Sequence, residues 1–258
     1  MLELNQLAHF RSFGFLRLTG LFAQDIADIT RESEHIWESD DTPRKNQEIR
    51  LDLFIERCPP LHRLVTDDRV YPVVEQLVGP DFIWVGSEGN ISGRNRVNWH
   101  ADRKYYRDGE GHWIDYAQIK LMLYLDPLTC ETGCLRVIPG SHRMPLHSDL
   151  GDQEIDAGSE PFGLDGPDLP CAALETTPGD LIIFNHCLWH AAYGGGHDRR
   201  YVALKFAARP TRDDQLVSLE RYTSRVFDPD EAFLDHPDGR IRQMVEALPG
   251  YRSGSLCA

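Results

Sequence analysis

The sequence predicts a mainly β protein with flanking helices, and three observations carry that expectation. From Asp81 onward, short β-branched or aromatic runs recur between Gly, Pro and Asp punctuation: "DFIWVGS", "AQIKLMLYLD", "CLRVIPGS", "DLIIFNH" and "RRYVALKFA". That is the pattern of antiparallel strands joined by turns. In "AQIKLMLYLD" the alternation is clean: Ile119, Leu121, Leu123 and Leu125 share one face, Gln118, Lys120, Met122 and Tyr124 the other. One face is therefore dry core, and the other lines something polar. Outside this region, at both ends of the chain, the apolar period is helical.

The elements follow in order. After the apolar run "FGFLRL", Phe22, Ile26, Ile29, Ile36 and Trp37 recur at roughly helical spacing on a polar background, which reads as an amphipathic helix. A second helix runs through Val70, Val73, Val74, Leu77 and Val78, with Asp67 and Asp68 available to cap its start and Gly79 to end it. Residues 144–170 are rich in Asp, Gly and Pro with little periodicity, a long excursion expected to be a lid or a disordered insert. Beyond Pro210 the chain turns helical and charged. A length of 258 residues buries one sizeable core. The expectation is a single domain over 1–258: a helical and strand support over 1–80, a β core over 81–209 carrying the lid-like insert 144–170, and a helical extension over 210–258.

Composition excludes some functions. With 27 Lys and Arg against 41 Asp and Glu, the net charge of −14 repels phosphate backbones and anionic membrane surfaces, so neither nucleic acid nor membrane is an expected partner. The six cysteines, Cys58, Cys130, Cys134, Cys171, Cys187 and Cys257, are scattered; free thiols in a reducing compartment are the simpler reading. The opening "MLELNQLAHFRSFGFLRLTG" lacks the basic start and continuous apolar run of a signal peptide, and a cytoplasmic location is expected.

The chemistry starts at "NWHADRKYY". If this stretch lies on or at the end of a strand, His100 and Asp102 are i and i+2 and project from one face. A third ligand is available from His186, His190 or His197 in "DLIIFNHCLWHAAYGGGHDRRYVALKF". His190 is best placed, following a strand-like run and preceding a small-residue turn. Two imidazoles and a carboxylate on one side of an ion leave the opposite positions open, the arrangement favoured by non-haem Fe(II) oxygenases. An isolated H-x-D arises readily by chance. Here it is joined, within one β region, by a later strand-end histidine and an arginine shortly after.

That order resembles the phytanoyl-CoA dioxygenase family of Fe(II)/2-oxoglutarate-dependent oxygenases over most of the chain. "FRSFGFLRLTGLFAQDIADI" looks like the family's opening strand and helix, "NWHAD" like its proximal metal motif, and "YLDPLTCETGCLRVIPGSHR" like its central hairpin. "TPGDLIIFNHCLWHAAYGGGHDRRYVALKF" is similar to its distal histidine strand and the arginine strand after it. The resemblance implies a double-stranded β-helix, a cupin-like jelly roll, with helices packed on one sheet. It also implies iron held by His100, Asp102 and His190, with 2-oxoglutarate as cosubstrate and O2 as oxidant.

The distal C5 carboxylate of 2-oxoglutarate needs a partner, and a guanidinium can hold it bidentately. Arg199 and Arg200 compete for that role from opposite faces of their strand. The more polar face and the family's register favour Arg199, and a surface ion pair is the plain alternative for either. Lys120 is a second candidate for the cosubstrate, or an ordinary snorkelling lysine; Asn90 is a weaker one. His142, in the "PGSH" turn, is expected to be structural, and His186 and His197 to be a buried or solvent-facing histidine and a loop histidine. Trp99, Tyr105, Tyr106, Trp113, Tyr116, Trp189 and Tyr193 offer an aromatic pocket wall, with ordinary core packing the better expectation for at least half.

The implied reaction hydroxylates or otherwise oxidises an unactivated C–H bond of a small-molecule metabolite, releasing succinate and CO2. Related halogenases lack the carboxylate ligand, so Asp102 favours hydroxylation or desaturation. Arg94, Arg96, Arg103 and Lys104 flank the metal motif and suggest an anionic substrate group, although such residues are usually in weak surface pairs. A monomer or homodimer is expected. The competing class is a non-catalytic cupin-like metal- or ligand-binding module. A metal-dependent hydrolase is disfavoured, because no further carboxylate or histidine near the motif offers itself as general base.

Overall fold

The computed structural model describes residues 1–41, 48–93, 96–155, 161–195 and 199–256. Arg94, His197 and Cys257 lie outside the described residues.

The helix α1 (Leu4–Phe13) opens the chain, a helix that its weak apolar periodicity conceals: only Phe10 is buried. It ends at Gly14, which adopts φ 83°, a left-handed conformation that glycine takes without steric cost. A Cβ there would also meet His142 Nδ1 at 2.5 Å, so the same glycine lets the "PGSH" turn dock. Strand β1 (Phe15–Leu18) follows. The expected amphipathic helix is α2 (Ile26–Ser39), burying Ile29, Ser33, Ile36 and Trp37. Strand β2 (Ile49–Asp52) was not visible in the periodicity. Helix α3 (Tyr71–Val78) ends at Gly79 as expected, but its N-cap is Val70, without a side-chain cap. Asp67 instead braces the preceding turn, accepting from Arg69 N at 2.9 Å through its side chain and from Tyr71 N at 2.8 Å through its carbonyl.

The β region holds β3 (Ile83–Ser92), β4 (Arg96–His100), β5 (Gln118–Tyr124) and β6 (Thr132–Val137). After the insert, which contains α4 (Leu146–Asp152), come β7 (Ala172–Leu174), β8 (Leu181–Asn185), β9 (His190–Gly194) and β10 (Arg199–Ala207). The chain closes with α5 (Asp213–Tyr222), α6 (Glu231–Leu234) and α7 (Gly239–Val245).

The strands form a six-stranded sheet, β1-β8-β5-β10-β3-β2, and a four-stranded sheet, β4-β9-β6-β7. Every pairing is antiparallel. The two sheets face each other as a jelly roll with flanking helices. The larger sheet begins before residue 81, because β1 and β2 supply its two edges. Ile119, Leu121, Leu123 and Leu125 join the large core that includes the apolar side chains of the flanking helices, such as Ile29, Leu216 and Ile241. Met122 and Tyr124, on the other face of β5, join a second cluster with Leu135, Val137 and Phe184. The alternation read from the sequence is thus the division between outer and inner faces of this sheet. The described part of the insert packs outside the smaller sheet, where Leu150, Ile155 and Leu169 bury Trp99, Trp189 and Tyr193. Among the described residues no helix is long and apolar enough to cross a membrane.

Candidate metal and cosubstrate site

Strand register delivers the first two side chains. His100, the last residue of β4, is the direct cross-strand partner of His190, the first of β9, and their rings lie 4.1 Å apart between centroids. Asp102 follows two residues past His100, just beyond the strand. One nitrogen from each histidine and one oxygen of Asp102 all lie within 4.8 Å of one another. Among the described residues this is the one cluster of its kind.

The hydrogen bonds prepare both imidazoles. His100 Nδ1 lies 2.8 Å from the Asn98 carbonyl and His190 Nδ1 2.8 Å from the Leu188 carbonyl. A carbonyl can only accept, so each Nδ1 donates to it, and Nε2 is the nitrogen left with a lone pair for a metal. Burial keeps His190 neutral by pushing its pKa down to about 3. Burial by itself would raise the Asp102 pKa, but the Lys120 ammonium beside it holds it well below the usual carboxylate range. The result is a cluster of lone pairs facing one point, as a divalent cation requires.

These residues line a cavity of about 230 Å³ between the sheets. Arg199 sits in its wall, 8% exposed, donating from Nη1 to the Gly133 carbonyl at 2.8 Å. Its Nε is buried with no partner among the described residues. Arg200 points the other way: it pairs with Asp126, at 2.6 Å, and with Glu34, and does not line the cavity. Asn90 lines the cavity and donates to the hydroxyl of Tyr201. Lys120 also faces inward, but its ammonium pairs with Glu88 and with Asp102. Tyr124 and Tyr201 supply the aromatic wall.

None of the seven aromatic residues singled out from the sequence lines the cavity. The alternation that aims His100 and His190 inward aims Trp99 and Trp189 outward, into the cluster beneath the insert. Tyr105 packs on His147, Tyr116 is core, and Trp113 is 39% exposed. The described basic residues flanking the motif do not converge either. Arg103 is buried, bonding Ser218 Oγ at 2.9 Å and the Tyr116 carbonyl at 2.8 Å. Arg96 lies over the Tyr193 ring and Lys104 over that of Trp189. His142 does not line the cavity, and its carbonyl accepts from the Tyr105 hydroxyl at 2.8 Å.

Sequence reasoning missed Glu88, which is 1% exposed in the cavity wall. Burial opposes its charge, but Lys120 and Lys205 bring its pKa down to about 2. Its place at the centre of β3 gave no local signal, since "GSEGN" has the composition of a turn.

His186 is fully buried, neither ring nitrogen has a partner among the described residues, and its ring packs 4.7 Å from that of Tyr222. Burial pushes its pKa from 6.5 down to about 3. A folded value below the unfolded one means that the unfolded chain binds this proton first, so stability is lost as pH falls below 6.5 toward 3. Urea midpoints measured between about pH 7 and about pH 4 should therefore decline. His186→Phe, which keeps the ring contact, should flatten that decline, and an unaltered slope would show that His186 does not contribute to it.

The protein resembles, at 24% identity over 223 residues, the 2-aminoethylphosphonate dioxygenase of an uncultured bacterium, covering 77% of this chain and 78% of that one. It is 26% identical over 153 residues to the dioxygenase lolE1 of Epichloe uncinata, covering 58% of this chain and 55% of that protein. The chain therefore spans only about half the length of some of the relatives it matches. Among solved structures, HygX from Streptomyces hygroscopicus with nickel and 2-oxoglutarate bound superposes with a TM-score of 0.62 at 18% identity, over 80% of this chain and 87% of that one. EctD from S. alaskensis with bound Fe gives 0.60 at 20% identity, over 80% and 77%. These likenesses establish the shared fold. The phytanoyl-CoA dioxygenase family model matches residues 10–201, most of the chain and all of the site, and the protein accordingly belongs to the phytanoyl-CoA dioxygenase family.

Proposed function

We propose that the protein is an Fe(II)- and 2-oxoglutarate-dependent dioxygenase that hydroxylates or otherwise oxidises an unactivated C–H bond of a small-molecule metabolite. The observation that carries this reading is the placement of two bare Nε2 atoms and a carboxylate around one point of a cavity that also holds Arg199. The donor set suits iron, because imidazole and carboxylate on one side leave room for other ligands. The unpaired, buried Nε of Arg199 suits the distal carboxylate of 2-oxoglutarate.

In this reading His100, Asp102 and His190 hold the iron, and Arg199, flanked by Tyr124 and Tyr201, holds the cosubstrate. When bound, iron and 2-oxoglutarate supply the activation of O2, with the cosubstrate converted to succinate and CO2. The chain's own part is orientation and exclusion of water. The carbonyls of Asn98 and Leu188 fix both imidazole rings. Ile91, Val97, Met122 and Leu135 give the cavity an apolar wall against which a substrate C–H can lie. A modest cavity and relatives named for small molecules support a metabolite as substrate.

Anaerobic addition of Fe(II) and 2-oxoglutarate should give a visible metal-to-ligand charge-transfer band, and with O2 a slow formation of succinate. A several-fold stimulation by one member of a metabolite panel would identify the substrate class. Metal uptake with neither the band nor succinate would identify a non-catalytic binding module instead.

A further inference from the structure

The two oxygens of Asp102 have different surroundings. Oδ1 lies 3.8 Å from His190 Nε2, on the side that the imidazoles face. Oδ2, which has no hydrogen-bond partner among the described residues, lies in ion-pair contact 3.3 Å from Lys120 Nζ. Lys120 reaches it from the inner face of β5 with a side chain only 8% exposed, and its ammonium is held on another side by Glu88. Glu88 in turn lies 3.3 Å from Lys205 Nζ and 3.5 Å from Arg50. Asp102, Lys120, Glu88 and Lys205 thus form a line of alternating charge through the protein interior.

Such a line is hard to rearrange. A buried charge is tolerated when paired, and removing one partner strands the next. Lys120 cannot swing toward another anion in the cavity without leaving Asp102 without its lysine partner and taking one of three cations from Glu88. The ammonium is therefore a fixed structural cation beside one particular carboxylate oxygen.

A carboxylate can bind a metal through one oxygen or two. Resting on the iron and 2-oxoglutarate reading above, we infer that Lys120 is a positioning residue that keeps Asp102 a one-oxygen ligand. By holding Oδ2 it leaves Oδ1 alone for the metal. The positions that a second Asp102 oxygen would occupy then stay open for the cosubstrate. Glu88 acts through Lys120, as the anchor that keeps the ammonium at Oδ2. This assigns Lys120 a task different from direct contact with 2-oxoglutarate, and the two tasks make different predictions for metal alone.

The test uses the full chain loaded with Co(II), whose ligand-field absorption reports coordination number, in the absence of 2-oxoglutarate. Lys120→Met should still bind Co(II) but with a weaker, shifted visible spectrum, as Asp102 closes onto the ion with both oxygens. The 2-oxoglutarate affinity of the Co(II) protein should fall by about tenfold or more, the scale of losing a group that orients a metal ligand. In Lys120→Ala, added n-propylammonium should restore the wild-type Co(II) spectrum. If Lys120→Met does not fold, Glu88→Gln combined with Lys120→Met removes one stranded charge and should show the same spectral change. A wild-type Co(II) spectrum in the Lys120 variants overturns the inference; joined to weakened 2-oxoglutarate binding, it shows that Lys120 touches the cosubstrate directly. A wild-type protein that takes up no Co(II) overturns the iron reading itself and this inference with it.

Discussion

Asp102→Ala is expected to abolish 2-oxoglutarate turnover and to weaken Fe(II) binding by more than about a hundredfold, beyond what the loss of an outer partner of a metal ligand causes. The carboxylate is the one anionic donor of the cluster, so without it two neutral imidazoles face a divalent ion alone. Misfolding is not the expected cause of the loss. Lys120 keeps Glu88 as a counter-charge, and His100 and His190 keep the backbone carbonyls that orient their rings. Near-ultraviolet circular dichroism of the metal-free variant should match wild type, while calorimetric titration with Fe(II) under anaerobic conditions shows the loss. Undiminished succinate formation would remove Asp102 from the ligand set.

The second large effect separates two adjacent arginines. Arg199→Ala should raise the half-saturating concentration of 2-oxoglutarate roughly ten- to a hundredfold, because a hydrogen bond to a charged group contributes about 1.5–3 kcal/mol. Maximal turnover with saturating cosubstrate should fall much less. Arg200→Ala should leave 2-oxoglutarate saturation unchanged, since its guanidinium is committed to Asp126 and Glu34 on the far side of the strand. Its cost is the loss of a partly exposed ion pair, about 0–1 kcal/mol of stability. Equal effects of the two substitutions on cosubstrate saturation would refute the assignment of Arg199.

What the sequence disclosed is what local periodicity can disclose. Alternation along 118–125 separated the core face of β5 from its polar face, and the i, i+2 spacing of His100 and Asp102 needed only that the stretch be extended. The face-sharing of Arg199 with Tyr201 was legible for the same reason. Glu88 was not, because its role depends on cross-strand register: β10 places Lys205 opposite Lys120 on one side and Ala203 opposite Glu88 on the other. No window of neighbouring residues contains that information. Burial between β2 and β10 overrides the turn-like composition around Glu88. The aromatic wall was misplaced for a simpler reason. Ordinary core packing is the sequence expectation for at least half of the seven, and Trp99 and Trp189, as strand neighbours of inward-facing ligands, must face outward.

The outward tryptophans also determine what the insert is free to become. Trp99 Nε1 donates to the Gly166 carbonyl at 2.8 Å and Trp189 Nε1 to the His147 carbonyl at 3.2 Å. Each tryptophan directly precedes a histidine of the cluster, so the insert grips the reverse side of both histidine strands. It does so through main-chain oxygens, which every amino acid supplies. Described side chains of the insert that stand clear of the tryptophans can then drift over generations while the grip endures, whereas Leu150, Ile155 and Leu169 pack on the rings themselves. Gly166 is constrained as well: a Cβ there would collide with the Tyr193 hydroxyl at 2.3 Å. A lineage could rewrite much of this segment to suit new surroundings and still inherit the same pair of braced histidines.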